Sequence, residues 1–391
     1  MSPASPRARE LRYALTLSSV IGLRMAGLFL ILPVFMVLAT EVPGYTPQSA
    51  GLAVGIYGLT QALLQQPFGW LSDRWGRKPV LLLGLALFAL GGVIAALAES
   101  MSWLIAGRAL QGCGAIAGVA MALAADVSRP ERRPIVMAII GIGIGGAFLL
   151  SMMLSVPLST LLGLEGLFWL TAALALVGIV LVLTVPAVPR PAESSSDGEP
   201  TSMRPIWLLA FSVFLLHAAM TLLFVCFPPM LVETFGLGLP QHWKLYVPAM
   251  LLSALIMLPI LRKAGSSFSE QRLMPGAFVA LGLSMGLLPF GFGYLALGAL
   301  LTVYFLGFSL LESAMPALLA RLSGTQGRGR RMGVYSTFQF LGAFCGAVIG
   351  GGLLARYGSG AALLFAGVIC VLWGGLVAGV SKRFFPTGES A

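Results

Sequence analysis

Gly69-Trp70-Leu71-Ser72-Asp73-Arg74-Trp75-Gly76-Arg77-Lys78-Pro79 lies between two apolar runs, residues 47–70 and 79–98. It concentrates four charges in a chain of which only 10% is charged. Each flanking run has the roughly 20 residues that a helix needs to cross a bilayer, and charges are costly in the hydrocarbon between its faces. The segment therefore reads as a turn at a membrane surface, and its neighbours read as spans. The rest of the chain agrees: 58% of its 391 residues are hydrophobic, with 49 Gly and 24 Pro. Its mean hydropathy is +0.94. A soluble chain of this length has no core large enough for so much apolar surface. The net charge of +10 is scattered over short loops, so it points to membrane topology and away from nucleic acid.

Twelve apolar runs can be counted, at residues 12–39, 47–70, 79–98, 101–126, 134–160, 165–186, 206–233, 243–261, 272–290, 294–320, 332–355 and 361–381. They are too long and too uniformly apolar for barrel strands, and backbone in hydrocarbon must satisfy its own hydrogen bonds. The spacing predicts an all-α integral membrane protein of twelve transmembrane helices in two six-helix bundles. Of the 24 Lys and Arg residues, 20 fall at the two termini or in the loops after even-numbered spans, which predicts that both termini are cytoplasmic. Pro186 to Pro205 is the one long polar interruption and reads as a flexible linker. It divides the chain into an N-terminal bundle at 1–186, a linker at 187–205 and a C-terminal bundle at 206–391.

Arg7, Arg9 and Arg12 precede an apolar run too long for a cleaved signal, so the first span is expected to be retained. Cys113, Cys226, Cys345 and Cys370 all fall within apolar runs without metal-ligand spacing. The two histidines, His217 and His242, cannot build a multi-histidine metal centre, and no nucleophile–base arrangement or phosphate-binding loop is apparent. An enzyme, an ATP-driven pump and a sensor with a soluble output domain are disfavoured, and no metal or cofactor is expected.

An ionisable side chain at mid-membrane costs about 2.5 to 3.5 kcal/mol and needs a partner or a wet cavity. Four such residues stand out: Arg24 in helix 1, Arg108 in helix 4, His217 in helix 7 and Glu312 in helix 10. These are equivalent helices in four three-helix repeats, an arrangement that transporters use around a midplane site. Counted from the cytoplasmic ends, His217 and Glu312 each lie roughly 14 to 17 Å deep at about 1.5 Å per residue, so they can be neighbours. Desolvation and a nearby imidazole act on a carboxyl group's proton affinity in opposite senses, which suits a proton-coupling pair. Glu312 is the first choice for that role, with His217 either its partner or a helix-packing residue. Arg24 is too deep to snorkel; it either neutralises an anionic substrate or pairs internally with a residue such as Glu312.

The charged turn resembles the signature G-x-L-[AS]-D-R-x-G-R-K of the major facilitator superfamily, which lies at the cytoplasmic end between helices 2 and 3. Gly107-Arg108-Ala109-Leu110-Gln111-Gly112-Cys113-Gly114-Ala115 resembles that superfamily's fourth-helix R-x-x-Q-G-x-G-A motif, associated with proton-coupled transport. Together with Ile56 to Ala62 and Met332 to Gly342, these segments are similar to the YajR-type branch of drug:proton antiporters in bacterial inner membranes. That branch often adds a small soluble C-terminal domain, and only six residues follow Phe385 here. The antiporter pattern ends helix 5 in Gly-Pro, where this chain has Val156-Pro157.

The resemblance implies that helices 1, 4, 7 and 10 line a central cavity. It also implies that Gly69, Asp73, Arg74, Gly76, Arg77 and Asp126 form a conformational latch joining helices 2, 3 and 4. Asp126 is 18 residues beyond Arg108, five turns along helix 4, and so ends that helix at the same membrane face as the charged turn. Gln61, Tyr335 and Gln339 would add amide and aromatic lining, and abundant Met and Phe favour an amphipathic organic substrate. Gly141, Gly143, Gly145 and Gly146 in helix 5, and Gly342, Gly346 and Gly350 in helix 11, permit close helix approach and sliding. The expected function is a proton-coupled exporter of a small organic compound, monomeric in the inner membrane. A proton symporter or facilitator that imports a nutrient is the alternative.

Overall fold

The computed structural model describes residues 6–185, 203–267, 270–322 and 328–384; the expected linker at 187–205 falls mostly outside them. The described residues are helical, with short turns and no strand. In order these are α1 (Pro6–Ile31), α2 (Phe35–Leu38), α3 (Pro47–Trp75), α4 (Arg77–Ala96), α5 (Met101–Cys113), α6 (Ala117–Asp126), α7 (Arg133–Thr184), α8 (Arg204–Glu233), α9 (Trp243–Ser267), α10 (Glu270–Leu287), α11 (Tyr294–Leu322) and α12 (Arg328–Phe384).

Among the described residues nine helical segments are long and apolar enough to cross a membrane, and two of these run for 50 residues. Each of those two turns once, at Gly163 in α7 (φ 66°, ψ −172°) and at Gly358 in α12 (φ 78°, ψ 171°). Side chains with a Cβ disfavour that backbone region, so a glycine closes the turn without an intervening loop. With α3, and with α7 and α12 counted as two legs each, the arrangement accords with twelve spans.

Two predicted spans are interrupted. Residues 12–39 break at Leu32-Pro33-Val34, between α1 and α2, where proline cannot continue the backbone ladder. Residues 101–126 break between Cys113 and Ala117, where tight bonds from Ala115 N–H to Cys113 O (2.8 Å) and from Ile116 N–H to Gly114 O (2.9 Å) replace the helical ladder. The five-turn register from Arg108 to Asp126 therefore does not run through a continuous helix.

The helices group into two compact units. One holds α1, α2, α3 from residue 56 onward, and α4–α7; the other holds residues 46–55 and α8–α12. In the first, α1 packs along α7, and α4 packs on α5 and α7. Leu17, Ile21, Leu81, Leu85, Ile116 and Leu123 form much of its buried core. Ser18 Oγ donates to Ile139 O (3.1 Å) and Ser155 Oγ to Leu30 O (2.5 Å), joining α1 and α7 by polar contacts that need no water. In the second unit α8 packs along α12, where Thr221 Oγ1 donates to Ala343 O (2.9 Å). Outward faces stay apolar, as Leu161, Ile142 and Leu255 illustrate, and lipid is the solvent that suits them.

Close packing at the glycines differs between the two legs. A Cβ at Gly342 or Gly346 would collide with the α8 backbone, so these glycines set how closely α12 approaches it. A Cβ at Gly141, Gly145 or Gly146 would meet nothing within 4 Å; only Gly143 packs tightly, against Ser18 of α1.

Candidate functional site

Three polar clusters interrupt these apolar units. In the second unit α8, α11 and α12 bring His217, Glu312 and Gln339 together. His217 Nε2 lies 3.7 Å from Glu312 Oε2. Gln339 Nε2 lies 2.8 Å from His217 Nε2 and donates to Glu312 Oε1 at 3.4 Å. On its other side the imidazole Nδ1 faces the Val213 carbonyl one helical turn earlier, at 3.2 Å. The Glu312 side chain is 39% exposed, yet its Oε2 is enclosed and makes no hydrogen bond. Tyr335 is buried one turn before Gln339, with its hydroxyl enclosed and unbonded. The Phe308 ring flanks the imidazole at 5.9 Å. His217 and Glu312, at one depth by residue count, are neighbours here, and Gln339, expected as cavity lining, bridges them.

The first unit holds a cationic cluster. Arg24 of α1 is 1% exposed and donates from Nη2 to Gln61 Oε1 of α3. Its Nε and Nη1 atoms, and Gln61 Nε2, are buried without a partner. Arg108 of α5, 2% exposed, donates to Gln111 Oε1 at 2.9 Å, and Gln111 Nε2 donates to Thr171 Oγ1 of α7 at 3.0 Å. Both guanidinium groups lie within 6 Å of the Tyr57 ring centroid. Ring faces stabilise desolvated cations, and no ion pair of the described residues includes Arg24. Tyr57 and Gln111 stood in the sequence motifs without a role of their own, and Thr171 was not anticipated. Gln111 was findable, because it lies three residues after Arg108 on one helix.

The charged turn builds the third cluster. Gly76 (φ 95°) links α3 directly to α4, which starts at Arg77. Arg77 bonds Asp73 Oδ1 at 2.5 Å, Ser72 Oγ at 2.6 Å and Asp126 Oδ2 at the end of α6 at 3.2 Å. Ser72 Oγ in turn donates to Gly69 O at 2.7 Å, so Gly69 contributes its carbonyl; a Cβ there would meet nothing. Arg74 covers the Trp70 ring at 4.0 Å. Lys78 caps the end of α7, donating to Leu183 O (2.9 Å) and Val185 O (2.7 Å).

A neighbouring clasp was not anticipated. Glu10, near the start of α1, accepts from Arg129 Nε (2.7 Å) and Nη2 (3.2 Å), and Arg132 Nε lies 3.8 Å away. The fork-to-carboxylate geometry fixes the start of α1 to the segment after α6. Nothing in the sequence spacing joins residues 119 apart.

Among the described residues no group of three His, Cys, Asp or Glu side chains could hold a metal ion. The four cysteines are unpaired, with Cys226 and Cys370 buried as packing residues.

The model of the Major Facilitator Superfamily matches the chain over residues 17–311 and 209–387. The inner membrane transport protein YajR of Escherichia coli K12 is 36% identical over 384 residues, which cover 93% of this chain and 82% of that protein. The multidrug resistance protein MdtH of Aeromonas salmonicida is 27% identical over 360 residues, covering 90% and 89% of the two chains. Among solved structures, a bacterial homologue of the human lysosomal transporter Spinster, in an inward-facing and occupied conformation, superposes with a TM-score of 0.74. Its identity is 16%, and the match covers 98% of both chains.

Proposed function

The chain belongs to the Major Facilitator Superfamily, a family of membrane transport proteins and not of enzymes, and from that premise we propose that it couples proton entry to the export of a small amphipathic organic compound. The observation that carries the reading is Glu312, a carboxyl group in a transmembrane helix with an imidazole and an amide as its polar neighbours. A site of that kind exchanges a proton without an ion pair that would trap it. Each proton moving down a potential of about 100 mV contributes about 2.3 kcal/mol to the cycle.

The other clusters take separate parts in this proposal. Arg24, Gln61 and Arg108 receive a polar or anionic group of the substrate, while Asp73, Arg77 and Asp126 hold one conformation of an alternating-access cycle. The protein acts as a monomer in the inner membrane with both termini in the cytoplasm. The relatives' names, an inner membrane transport protein and a multidrug resistance protein, support this location and direction. Import by proton symport is the second reading, favoured by Val156-Pro157 where the antiporter pattern has Gly-Pro.

A resistance and metabolite-accumulation screen in an exporter-deficient bacterium identifies the transported compound. Proteoliposomes with an imposed pH gradient then compare the wild type with Glu312→Gln for that compound. Loss of gradient-driven transport in the variant is expected; equal drive in both would sink the coupling claim.

A further inference from the structure

Two groups in the second unit, Glu312 and His217, are candidates to carry the proton, and Gln339 touches both. The imidazole Nδ1 is 3.2 Å from the Val213 carbonyl. A carbonyl oxygen only accepts, so Nδ1 carries the ring hydrogen. The imidazole Nε2 is 2.8 Å from the amide nitrogen of Gln339. With the amide in this orientation its nitrogen only donates, so Nε2 presents its lone pair and the ring is neutral. The second N–H of the same amide reaches Glu312 Oε1 at 3.4 Å. This pattern is satisfied when Glu312 is a carboxylate, and still satisfied when it gains one proton on Oε2 and accepts through Oε1.

The reversed amide places oxygen against both neighbours, and it is satisfied only when both neighbours donate. That requires two protons, one on each group. An imidazolium beside a carboxylate suits neither orientation: amide nitrogen would face a ring N–H, or amide oxygen would face a carboxylate oxygen. The charge-separated pair is thus disfavoured by the one side chain that touches both members.

Among the described residues of the second unit, other titratable groups lie as follows. From α12 the titratable neighbour is Tyr335, and from α8 it is His217 itself. Residues 273–287 of α10 contain no ionisable side chain; Lys244 and Tyr246, the ionisable residues of α9 between 243 and 260, lie in its first turn. On α11 itself the nearest charge is Arg321, nine residues beyond Glu312.

We propose that Gln339 is a positioning residue that confines the exchanged proton to Glu312 and holds His217 as a neutral hydrogen-bond acceptor with its hydrogen on Nδ1. The inference rests on the proton-coupled reading of this site, and with the amide held in this orientation the site exchanges one proton per cycle.

The test needs no substrate. The full chain is labelled with nitrogen-15 histidine and reconstituted in lipid nanodiscs, and imidazole spectra are recorded from about pH 5 to about pH 8.5, around the usual histidine range. His242→Asn assigns the two histidines. His217 is expected to keep the neutral Nδ1–H signature throughout, and Gln339→Leu, which leaves the Val213 carbonyl in place but frees Nε2, to let Nε2 take up a proton within the window and give an imidazolium signal. Proton-binding titrations of the same samples are expected to differ by about one proton between wild type and Glu312→Gln, and to be unchanged by His217→Asn. An imidazolium or Nε2–H signal for His217 in the wild type overturns the proposal, whether or not Gln339→Leu folds. A Gln339→Leu spectrum identical to the wild type also overturns it. If Glu312→Gln binds as many protons as the wild type, the proton-coupled reading itself falls, whatever the tautomer.

Discussion

Arg77, the first residue of α4, bonds Asp126, the last residue of α6, at 3.2 Å, and so joins two helix ends that lie 49 residues apart in the chain. The same guanidinium holds Asp73 one helical turn earlier. Both carboxylates share one cation, but their surroundings differ. The Asp126 side chain is 17% exposed and that of Asp73 63%.

That difference ranks two substitutions. An exposed ion pair contributes about 0 to 1 kcal/mol, whereas removing one partner of a sheltered pair costs more. Asp126→Asn is expected to slow transport about tenfold, equivalent to about 1.4 kcal/mol, and Asp73→Asn by less. Substrate affinity should change less than about twofold in both. Parallel transport and equilibrium-binding measurements check this, and a large affinity loss with intact cycling would contradict a latch.

Glu10 makes the same kind of argument at the start of α1. Glu10→Gln keeps one acceptor oxygen but loses the charge-assisted fork with Arg129. The melting temperature in detergent should fall, and Arg129→Lys should fall similarly because an ammonium cannot reproduce the two-point contact. Added salt should narrow the gap between wild type and variants, since the Arg129 side chain is half exposed.

Arg24 should behave in the opposite way. Its charge is buried beside two rings and the Gln61 amide, with Nε and Nη1 unbonded, so its desolvation cost is only partly offset in the folded state. Arg24→Met is expected to raise stability by about 1 to 2 kcal/mol while abolishing transport. A stability loss of similar size would show that the Gln61 bond and the ring contacts outweigh the desolvation cost.

The α8–α12 contact gives a paired control. Gly342→Ala places a methyl group against the Phe214 backbone, which a side-chain rotation cannot relieve, whereas Gly352→Ala meets open space. Thermal unfolding should show a loss of about 1 to 3 kcal/mol for the first and little change for the second. Equal effects would mean that helix propensity, and not packing, dominates at these glycines.

Legibility varied with the range of the physics involved. Hydrophobic length and the placement of Lys and Arg act locally, so the membrane class, the helical fold and the span positions could be read from the chain. Depth along a helix is also a local count, and it brought His217 and Glu312 to one level. The break at Gly114 was not legible, because it arises where α5 and α6 meet α4 and no proline marks it.

The amino-acid order alone established an all-helical, multi-pass membrane chain, with a charged turn between two apolar runs and four ionisable residues within such runs. Hydrocarbon excludes unpaired backbone and charge from every residue in turn, so that information is written residue by residue. Folding settled the partners: Gln339 between His217 and Glu312, Gln61 on Arg24, Glu10 on Arg129. A hydrogen bond depends on which atom of a side chain meets which neighbour from a distant helix, and that pairing exists only after the helices have packed.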